Sequence, residues 1–343
     1  MSLRPILKRI VEERQTLTRE ESRDLLVQML REGTSESEIA AVLCSITARG
    51  EQPAEIAGFV DTVRALSNTI PLTSAERDQL VDTCGTGGDN SGTFNISTAA
   101  ALVAAAAGAK VAKHGNRSVT SKCGSADVLE ALGIPVTLEG EAASAALRAH
   151  NFVYLHAPAM HPALKPITPV RRALGVRTIM HLVFPLANPA GARRQIVGVS
   201  AAHLVPLVAE ALALLGAQHA FVVHGAGGAT GVDELSLAGP STIAKVRDGS
   251  FAVRTIAPED LGLTRAPLSA LEGGNAQHNA QILTAIFAGA KGPHRDVVIL
   301  NAAAVLVAAD AAPDLRNAPA LAAATIDTGA VTALIAALQS PHA

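Results

Sequence analysis

The chain of 343 residues is poor in aromatic side chains, which make up 2% of it, with no tryptophan and one tyrosine. A surface that holds nucleic acid by stacking bases on aromatic rings is therefore not expected. The formal net charge of −2 also lacks the positive excess that a dedicated nucleic-acid-binding protein carries. These two shortages argue against nucleic acid as a partner.

Cysteine is scarce as well, and the three cysteines, Cys44, Cys84 and Cys123, are scattered along the chain. An odd number without zinc-ligand spacing suits a reducing compartment better than a disulfide framework. The starting segment MSLRPILKRIVEERQ has no apolar stretch of the kind that a secretory signal needs. The apolar run AALVAAAAGA is too short to cross a bilayer. We therefore expect a cytoplasmic protein with no membrane partner.

Apolar residues, by contrast, are abundant at 49% of the chain, which predicts a well-buried globular protein. The first seventy or so residues have the pattern of helices alone. Thr18 with Glu21, and Ser35 with Glu38, match the capping-box pattern that begins a helix. The predicted ends of these two helices are Gly33 and Gly50.

From about Gln79 onward, strand-like segments alternate with helical ones. The predicted strands are QLVDTC, AKVAKHG, IPVTL, AQHAFVVHG and SFAVRTI, and the predicted helices include 96–107, SADVLEALG, AQILTAIFAGA and DVVILNAAAVLVAAD. This alternation is typical of an α/β domain with a mainly parallel central sheet. The predicted fold class is therefore α/β, with a small N-terminal all-helical domain (1–73) and a larger α/β domain (74–343). A proline-rich basic segment at about 165–190 breaks the alternation and is predicted to return to the helical domain.

The stretch VDTCGTGGDNSGTFNIST follows the first predicted strand and contains four glycines within eight residues. It matches neither G-x-G-x-x-G, since the third glycine is misplaced, nor the Walker A pattern, since no lysine follows. A strand still ends here and a helix begins, which favours an anion at the exposed backbone N–H groups. Asp89 is unusual in this loop, because a carboxylate repels phosphate unless a hydroxyl or a metal ion lies between them. The alternative interpretation is a turn that only caps the helix, and the glycine density makes it the weaker one.

A second polar loop, KHGNRSVTSKCGSADVLE, follows the next predicted strand and so emerges at the same edge of a parallel sheet. Lys113, Arg117 and Lys122 supply positive charge, and Asn116 with several serines supplies neutral polar groups. Alone, this segment has the composition of a solvated basic turn. Beside the first loop, it predicts a site for a ligand with more than one phosphate.

DTCGTGGD, NISTAAALVAAAAGAKVAKHGNR and GSADVLEALG resemble the signature segments of the anthranilate phosphoribosyltransferase family. The similarity includes LTREES near the start and HPAL, VRRALGVRTI, PLANPAG, FVVHG, DELS and ILNAAA further on, so it covers nearly the whole chain in order. That family joins anthranilate to 5-phosphoribosyl 1-diphosphate and releases diphosphate, in tryptophan biosynthesis. The resemblance implies a Mg²⁺-dependent transferase that forms a homodimer through its helical domain.

The resemblance also implies three groups of site residues. Phosphoribosyl diphosphate would be bound by Gly85, Gly88, Asp89, Thr93, Asn95, Ile96, Ser97, Thr98, Lys113, His114, Gly115, Asn116, Arg117, Ser118, Val119, Thr120, Ser121 and Ser125. Anthranilate would face Gly85, Asn116 and Arg171. Two Mg²⁺ ions per active site would be held through Ser97, Asp233 and Glu234.

The chemistry of this reaction agrees with those residue types. Mg²⁺ is held through one or two carboxylates together with waters and substrate phosphates, which suits the adjacent acids Asp233 and Glu234. Alone, such an acid pair is usually a solvated surface feature. Positive charge builds on the ribose as diphosphate leaves, so electrostatic stabilisation and placement of the neutral aryl amine are expected to carry catalysis. We therefore predict no indispensable general base. Arg171 could pair bidentately with the anthranilate carboxylate, although a surface helix arginine is its plainer interpretation.

Two features depart from the family pattern, and two alternatives stay open. Cys123 stands where the family commonly has serine, which puts one hydrogen bond to phosphate in doubt, and the link HGAGGATGVDELS is a few residues longer than usual.

A pyrimidine nucleoside phosphorylase has the same architecture, but a longer chain with an extra C-terminal domain and no KHGNR would be expected. A non-catalytic nucleic-acid-binding relative would need basic grooves, and the net charge, Asn116 and Arg171 argue against it.

Overall fold

The structure, a computed structural model, describes residues 3–89, 91–118 and 122–339. The helices are α1 (Arg4–Val11), α2 (Arg19–Met29), α3 (Glu36–Arg49), α4 (Pro53–Ala65), α5 (Ser74–Arg77), α6 (Ile96–Ala106), α7 (Ser125–Ala131), α8 (Gly140–His150), α9 (Ala157–Met160), α10 (Ile167–Leu174), α11 (Ile179–Leu186), α12 (Leu204–Leu214), α13 (Ala276–Phe287), α14 (Pro293–Ala308), α15 (Ala318–Asp327) and α16 (Ala330–Leu338). The strands are β1 (Leu80–Thr83), β2 (Lys110–Gly115), β3 (Phe152–His156), β4 (Arg194–Gly198), β5 (His219–Gly225), β6 (Ser241–Arg247) and β7 (Ser250–Ile256).

The N-terminal region is helical, as predicted, and its helix starts are fixed by local chemistry. Both capping boxes are confirmed, because the Thr18 and Ser35 hydroxyls each accept from the backbone N–H three residues on, and their own backbone N–H groups donate to Glu21 and Glu38. Gly50 ends α3 with a φ of 97°, as predicted. The prediction for Gly33 is wrong, since α2 ends at Met29 and Gly33 lies in the following turn.

A single seven-stranded sheet forms the centre of the α/β region, in the order β3-β2-β1-β4-β5-β6-β7. The first five strands are parallel, whereas β6 and β7 form an antiparallel hairpin at one edge. The chain runs from β1 outward to β3 on one side and then continues from β4 on the other. This switch of direction between β1 and β4 opens a crevice at the carboxyl ends of those strands. The predicted fold class, with a helical region and a mainly parallel sheet, is confirmed.

One predicted strand is wrong and three strands were missed. IPVTL, at residues 134–138, pairs with no strand in the described structure, although Ile134 and Val136 are buried. Pro135 has no N–H to donate, which weakens any pairing there. The third strand is instead β3, which pairs with β2 over five residues after helix α8. Strands β4 and β6 also went unpredicted.

The core lies on both faces of the sheet because successive strand residues point to opposite faces. In β5, Phe221 and Val223 join the apolar cluster with α6 and α14, while Ala220 and Val222 join the cluster with the N-terminal helices. Residues of the 165–190 segment, among them Val170, are part of the second cluster. Within the described residues no single helix is long and apolar enough to cross a membrane; α15 and α16 reach that length only as a pair, bent by 65°.

Candidate active site

The glycine loop, residues 85–89, leaves β1 at the crevice between β1 and β4. Gly87 and Gly88 have φ angles of 64° and 72°, in the left-handed region that favours glycine. A Cβ on Gly85 would lie 2.5 Å from Asp233 Oδ2, so the loop and the acidic segment can approach only because no side chain is present. The same holds at Gly198, the last residue of β4, where a Cβ would overlap the backbone carbonyl of Asp233.

The acidic pair Asp233 and Glu234 lies in the connection from β5 to β6. It contacts both the glycine loop and the first turn of α6. Gly87 N donates to Asp233 Oδ2 at 2.9 Å, and Ser97 N donates to Glu234 Oε1 at 3.0 Å. Ser97 is in the first turn of α6, whose N–H groups lack intrahelical partners. Two carboxylates therefore lie on backbone donors of the kind that phosphates prefer.

The electrostatics of this cluster are unfavourable for the carboxylates as they stand. Desolvation by the surrounding protein raises the pKa of Asp233 to about 7, and the negative charge of Asp89 adds to the shift. Enclosure also raises the pKa of Glu234 to about 8, with Asp233 as the second cause. Asp233 N donates to Asp89 Oδ2 at 3.2 Å, which brings the third carboxylate into the same place. A bound cation would offset the repulsion among these three carboxylates.

A small cavity joins these parts. It is lined by Thr83, Cys84, Gly85, Ser97, Ala100, Ile196, Gly198, Asp233, Glu234, Asn301 and Val305. The structure thus brings together Gly85, Ser97, Asp233 and Glu234, which are distant in sequence. Arg171 is not among the residues that line this cavity.

Lys113 lies beneath the glycine loop rather than on its surface. Its buried Nζ donates to the Thr83 carbonyl at 2.5 Å and to Thr83 Oγ1 at 3.0 Å. Burial lowers the pKa of Lys113, while Cys84, Asp82 and Glu234 oppose the shift. The ammonium therefore ties β2 to the end of β1 and contributes positive charge from below the site.

The second polar loop is held to α7 by one carboxylate. Asp127 accepts from Ser118 N at 3.0 Å and from Gly124 N at 2.8 Å. Arg117 forms two 2.6 Å hydrogen bonds to Glu130, so its guanidinium is directed to α7. Val119, Thr120 and Ser121 lie outside the described residues.

The start of α7 carries Ser125, another of the predicted phosphoribosyl diphosphate residues. Its hydroxyl lies 2.9 Å from Tyr154 Oη and donates to the Asn116 carbonyl at 3.3 Å. Gly115 lies against this pair, where a Cβ would be 2.8 Å from Tyr154 Oη. Cys123 directs its Sγ to the Gly124 carbonyl, so the departure from serine is accommodated within the loop.

Asn95 joins the two polar loops instead of capping α6. Its Nδ2 donates to the Cys123 carbonyl at 3.2 Å, and its Oδ1 accepts from Asn279 Nδ2 at 2.9 Å. Gly274 N donates to Asn279 Oδ1 at 2.7 Å, which fixes the orientation of both amides. Asn279 was not predicted as a site residue.

Three other predicted residues differ in how they face the site. Thr93 is half-buried and forms an isolated β-bridge with Glu272, whereas Ile96 is buried in the core. The Thr98 hydroxyl is buried and has no hydrogen-bond partner among the described residues.

A buried pair of histidines links the second loop to the segment before α10. Ser67 Oγ donates to the Val63 carbonyl at 2.6 Å, so it must accept from His161 Nδ1, 2.8 Å away. His161 Nε2 is then unprotonated and accepts from His114 Nε2 at 3.0 Å. His114 Nδ1 remains as a buried acceptor without a partner in the described part of the chain.

This network predicts acid sensitivity. Burial lowers the pKa of His161 from 6.5 to about 4, so its stabilising neutral form is fully present above about pH 6.5 and is lost as the pH falls towards 4. We expect the free energy of unfolding to drop by roughly 2–3 kcal/mol on this account between pH 7 and pH 4.5. Denaturant titrations of wild type, His161→Asn and the exposed-site control His203→Asn measure it, and only His161→Asn should flatten the pH dependence. An unchanged slope in His161→Asn would contradict the assignment.

Arg171, the predicted anthranilate residue, lies on α10 and does not line the cavity of the acidic pair. Its guanidinium carbon stands 4.7 Å from the centre of the Phe184 ring, a cation–π distance. Its Nε is buried and unpaired within the described residues, and burial lowers the pKa of the group. Phe184 also packs edge-on to His161, with ring centres 6.2 Å apart. Arg171, Phe184 and the histidine pair thus form one cluster of polar and aromatic side chains.

Besides Asn279, a second residue that contacts the site was not predicted. Arg177, in the turn between α10 and α11, donates from Nη1 to the Gly87 carbonyl at 2.6 Å. The sequence shows only an arginine in GVRTI, ninety residues from the glycine loop, and no local pattern places it there.

Comparisons with known proteins bear on the whole chain. Two protein-family models match: the "Glycosyl transferase family, helical bundle domain" over residues 4–67 and the "Glycosyl transferase family, a/b domain" over residues 77–332. The anthranilate phosphoribosyltransferase of Solibacter usitatus (strain Ellin6076) is 46% identical over 339 residues, 98% of each chain.

Solved structures agree with this match. The crystal structure of anthranilate phosphoribosyltransferase from Thermus thermophilus has a TM-score of 0.90 at 38% identity, covering 97% of this chain and 98% of that one. The Saccharomyces cerevisiae enzyme in complex with phosphoribosyl diphosphate and Mg has a TM-score of 0.80 at 24% identity, with 93% and 92% coverage, and this likeness is one of fold.

Proposed function

Because this chain belongs to the anthranilate phosphoribosyltransferase family, we infer that it transfers the phosphoribosyl group of 5-phosphoribosyl 1-diphosphate to the amine of anthranilate. The products are N-(5-phosphoribosyl)anthranilate and diphosphate, and the reaction belongs to tryptophan biosynthesis. The observation that carries this function is the convergence of the glycine loop, the start of α6 and the acidic pair on one cavity at the switch point of the sheet.

The diphosphate binds, in this proposal, at the backbone N–H groups of the glycine loop and of the first turn of α6. Support comes from the donors themselves, since Gly87 N and Ser97 N already hold carboxylate oxygens at 2.9 and 3.0 Å. Asp233 and Glu234 must leave these donors before phosphate can take them. The second loop, from Lys113 to Ser121 with Ser125, closes the other side.

Mg²⁺ fits the donor set at this place. Within the described residues no group of three or more His, Cys, Asp and Glu side chains is arranged to hold a metal alone. Mg²⁺ rarely needs one, because it keeps waters and binds through one or two carboxylates and substrate phosphates. Ser97, Asp233 and Glu234 would hold it, and two ions per site are part of the proposal. When bound, Mg²⁺ offsets the negative charge of the leaving diphosphate.

The chain's own residues act by binding and placement. Backbone donors of the glycine loop and α6 receive the charge that develops on the diphosphate, which is electrostatic stabilisation. The neutral aryl amine is already nucleophilic, so holding it in line with the breaking bond is expected to supply much of the remaining effect. No side chain is assigned as a general acid or base.

Anthranilate is proposed to lie towards Arg171, with Gly85 and Asn116 beside it. The Arg171 guanidinium faces an aromatic neighbour, Phe184, and has an unpaired buried Nε, as a site for an aromatic carboxylate would need. A bidentate pair with the carboxylate would satisfy it.

The remaining proposals concern organisation. We divide the chain at 73/74 into a helical domain and an α/β domain, with residues 165–190 packing on the former, and Val170 in the helical cluster supports this. A homodimer through the helical domain and a cytoplasmic location complete the proposal.

A fluorescence assay with the purified chain tests the function. Anthranilate fluorescence should fall on adding phosphoribosyl diphosphate with Mg²⁺, and the change should stop when the metal is chelated. Phosphate-dependent cleavage of a pyrimidine nucleoside by the same preparation, without loss of anthranilate, would instead identify the phosphorylase alternative.

A further inference from the structure

Arg177 reaches the glycine loop from a different part of the fold. It lies in the turn between α10 and α11, two helices whose apolar residues pack in the cluster of the N-terminal helices. Val170 and Ile179 anchor the two sides of this turn in that cluster. The side chain therefore connects the helical region with a loop that belongs to the central sheet.

The contact is close and depends on glycine. Arg177 Nη1 donates to the Gly87 carbonyl at 2.6 Å. A Cβ on Gly88 would lie 2.5 Å from the same Nη1, so any other residue there would displace the guanidinium. Arg177 Nη2 is buried and has no partner among the described residues.

Carboxylates from both regions act electrostatically on this guanidinium. Burial lowers the pKa of Arg177, and Asp233, Asp89 and Glu51 oppose that shift in this order. Glu51 follows α3 and accepts from Thr47 Oγ1 at 2.9 Å, so it belongs to the helical region. Asp233 and Asp89 belong to the acidic cluster at the crevice. Arg177 is thus a cation influenced by carboxylates of both regions.

We propose that Arg177 is a positioning residue for the transfer, because it fixes the peptide between Gly87 and Gly88. Every peptide bond in the described ranges is trans, so the carbonyl and the following N–H point in opposite directions. Once Arg177 holds the Gly87 carbonyl, the Gly88 N–H must point away from the helical region. That N–H is then presented to the ligand side of the loop without further ordering when phosphate binds.

The same contact limits repulsion in the loop. The Asp233 N–H donates to Asp89 Oδ2 at 3.2 Å, which holds the two residues together, while their negatively charged carboxylates repel each other. A guanidinium beside them lowers the cost of keeping both near an anionic ligand. Arg177 is therefore expected to act on the phosphoribosyl diphosphate half of the site and not on anthranilate.

Calorimetric titration of phosphoribosyl diphosphate into the Mg²⁺-loaded protein tests this proposal, which rests on the proposed binding site. Arg177→Met should weaken binding by at least about tenfold, the loss of one charge-assisted hydrogen bond. Arg177→Lys, which keeps the charge, should recover part of that loss. The KM for anthranilate should change less than about twofold, and the melting temperature should stay near that of wild type.

Exposed Arg172, on the same segment, supplies the matched control as Arg172→Met, expected to bind like wild type. Wild-type affinity in Arg177→Met, or equal effects on both substrates, would overturn the positioning role. If Arg177→Met does not fold, the comparison moves to Arg177→Gln and Arg177→Lys, where the charged variant must bind tighter. Absence of binding by the wild type would refute the site itself, a result separate from either of these.

Discussion

Replacing Glu234 by Gln, or Asp233 by Asn, is expected to lower kcat/KM for phosphoribosyl diphosphate by on the order of 100-fold or more. Each change keeps the shape of the side chain and an oxygen that can accept from Ser97 N or Gly87 N, so the fold should persist. What is lost is a carboxylate for Mg²⁺, whose charge stabilisation amounts to several kcal/mol. Initial rates over a range of Mg²⁺ concentrations measure the effect.

A second measurement separates metal binding from structural support. Without metal, the two carboxylates occupy phosphate donors and repel an anion, so the neutral variants should bind inorganic diphosphate as well as wild type or better. Glu210→Gln, on the exposed face of α12, should leave both measurements unchanged. Weaker metal-free diphosphate binding in the Asp233 and Glu234 variants would mean that these acids only support the loop.

Arg171→Ala is expected to raise the KM for anthranilate by on the order of 10- to 100-fold while the KM for phosphoribosyl diphosphate changes less than about threefold. The physical reason is the loss of a charge-assisted, two-point hydrogen bond to a carboxylate. Arg171→Lys should fall between, because an ammonium keeps the charge but cannot form the planar fork. Steady-state kinetics with each substrate varied in turn give the two constants.

An acceptor without the carboxylate makes this prediction sharper. Aniline should be a poor substrate for wild type, and Arg171→Ala should discriminate little between aniline and anthranilate. Arg172→Ala should retain the full preference, as a control for a nearby exposed arginine. If Arg171→Ala still preferred anthranilate by the wild-type factor, or if both KM values rose equally, Arg171 would not be the carboxylate partner.

Local chemistry is what made much of the fold predictable. The capping boxes at Thr18 and Ser35 need only residues within one turn, and they appear as expected. β1, β2 and β5 combine a short apolar run with a following polar loop, and all three were found. IPVTL has the same apolar composition as a strand but has no partner, because pairing is decided by the sheet and not by the segment. Strands β4 and β6 were not predicted for the same reason, because their pairing also depends on the neighbouring strands of the sheet.

The site is harder to predict from the sequence, because the residues that contact one another in it lie far apart in the chain. The hydrogen bond between Asn279 and Asn95 spans 184 residues, and that between Asp233 and Gly87 spans 146. The family resemblance supplied Asp233 and Glu234, whereas composition alone gives an adjacent acid pair little weight. Arg177 and Asn279 carry no such signal, since an arginine in a turn and an asparagine on a helix are ordinary residues. Only the folded arrangement places them on the glycine loop and on Asn95.

The most direct test of the proposed site is a crystal structure of this protein with phosphoribosyl diphosphate, Mg²⁺ and an unreactive anthranilate analogue. We predict the diphosphate between the first turn of α6 and the second polar loop, with Asp233 and Glu234 turned from Gly87 N and Ser97 N towards the metal. Asp89 should meet a ribose hydroxyl or a metal-bound water. A diphosphate bound elsewhere, or Asp89 directly against an unshielded phosphate, would contradict the account.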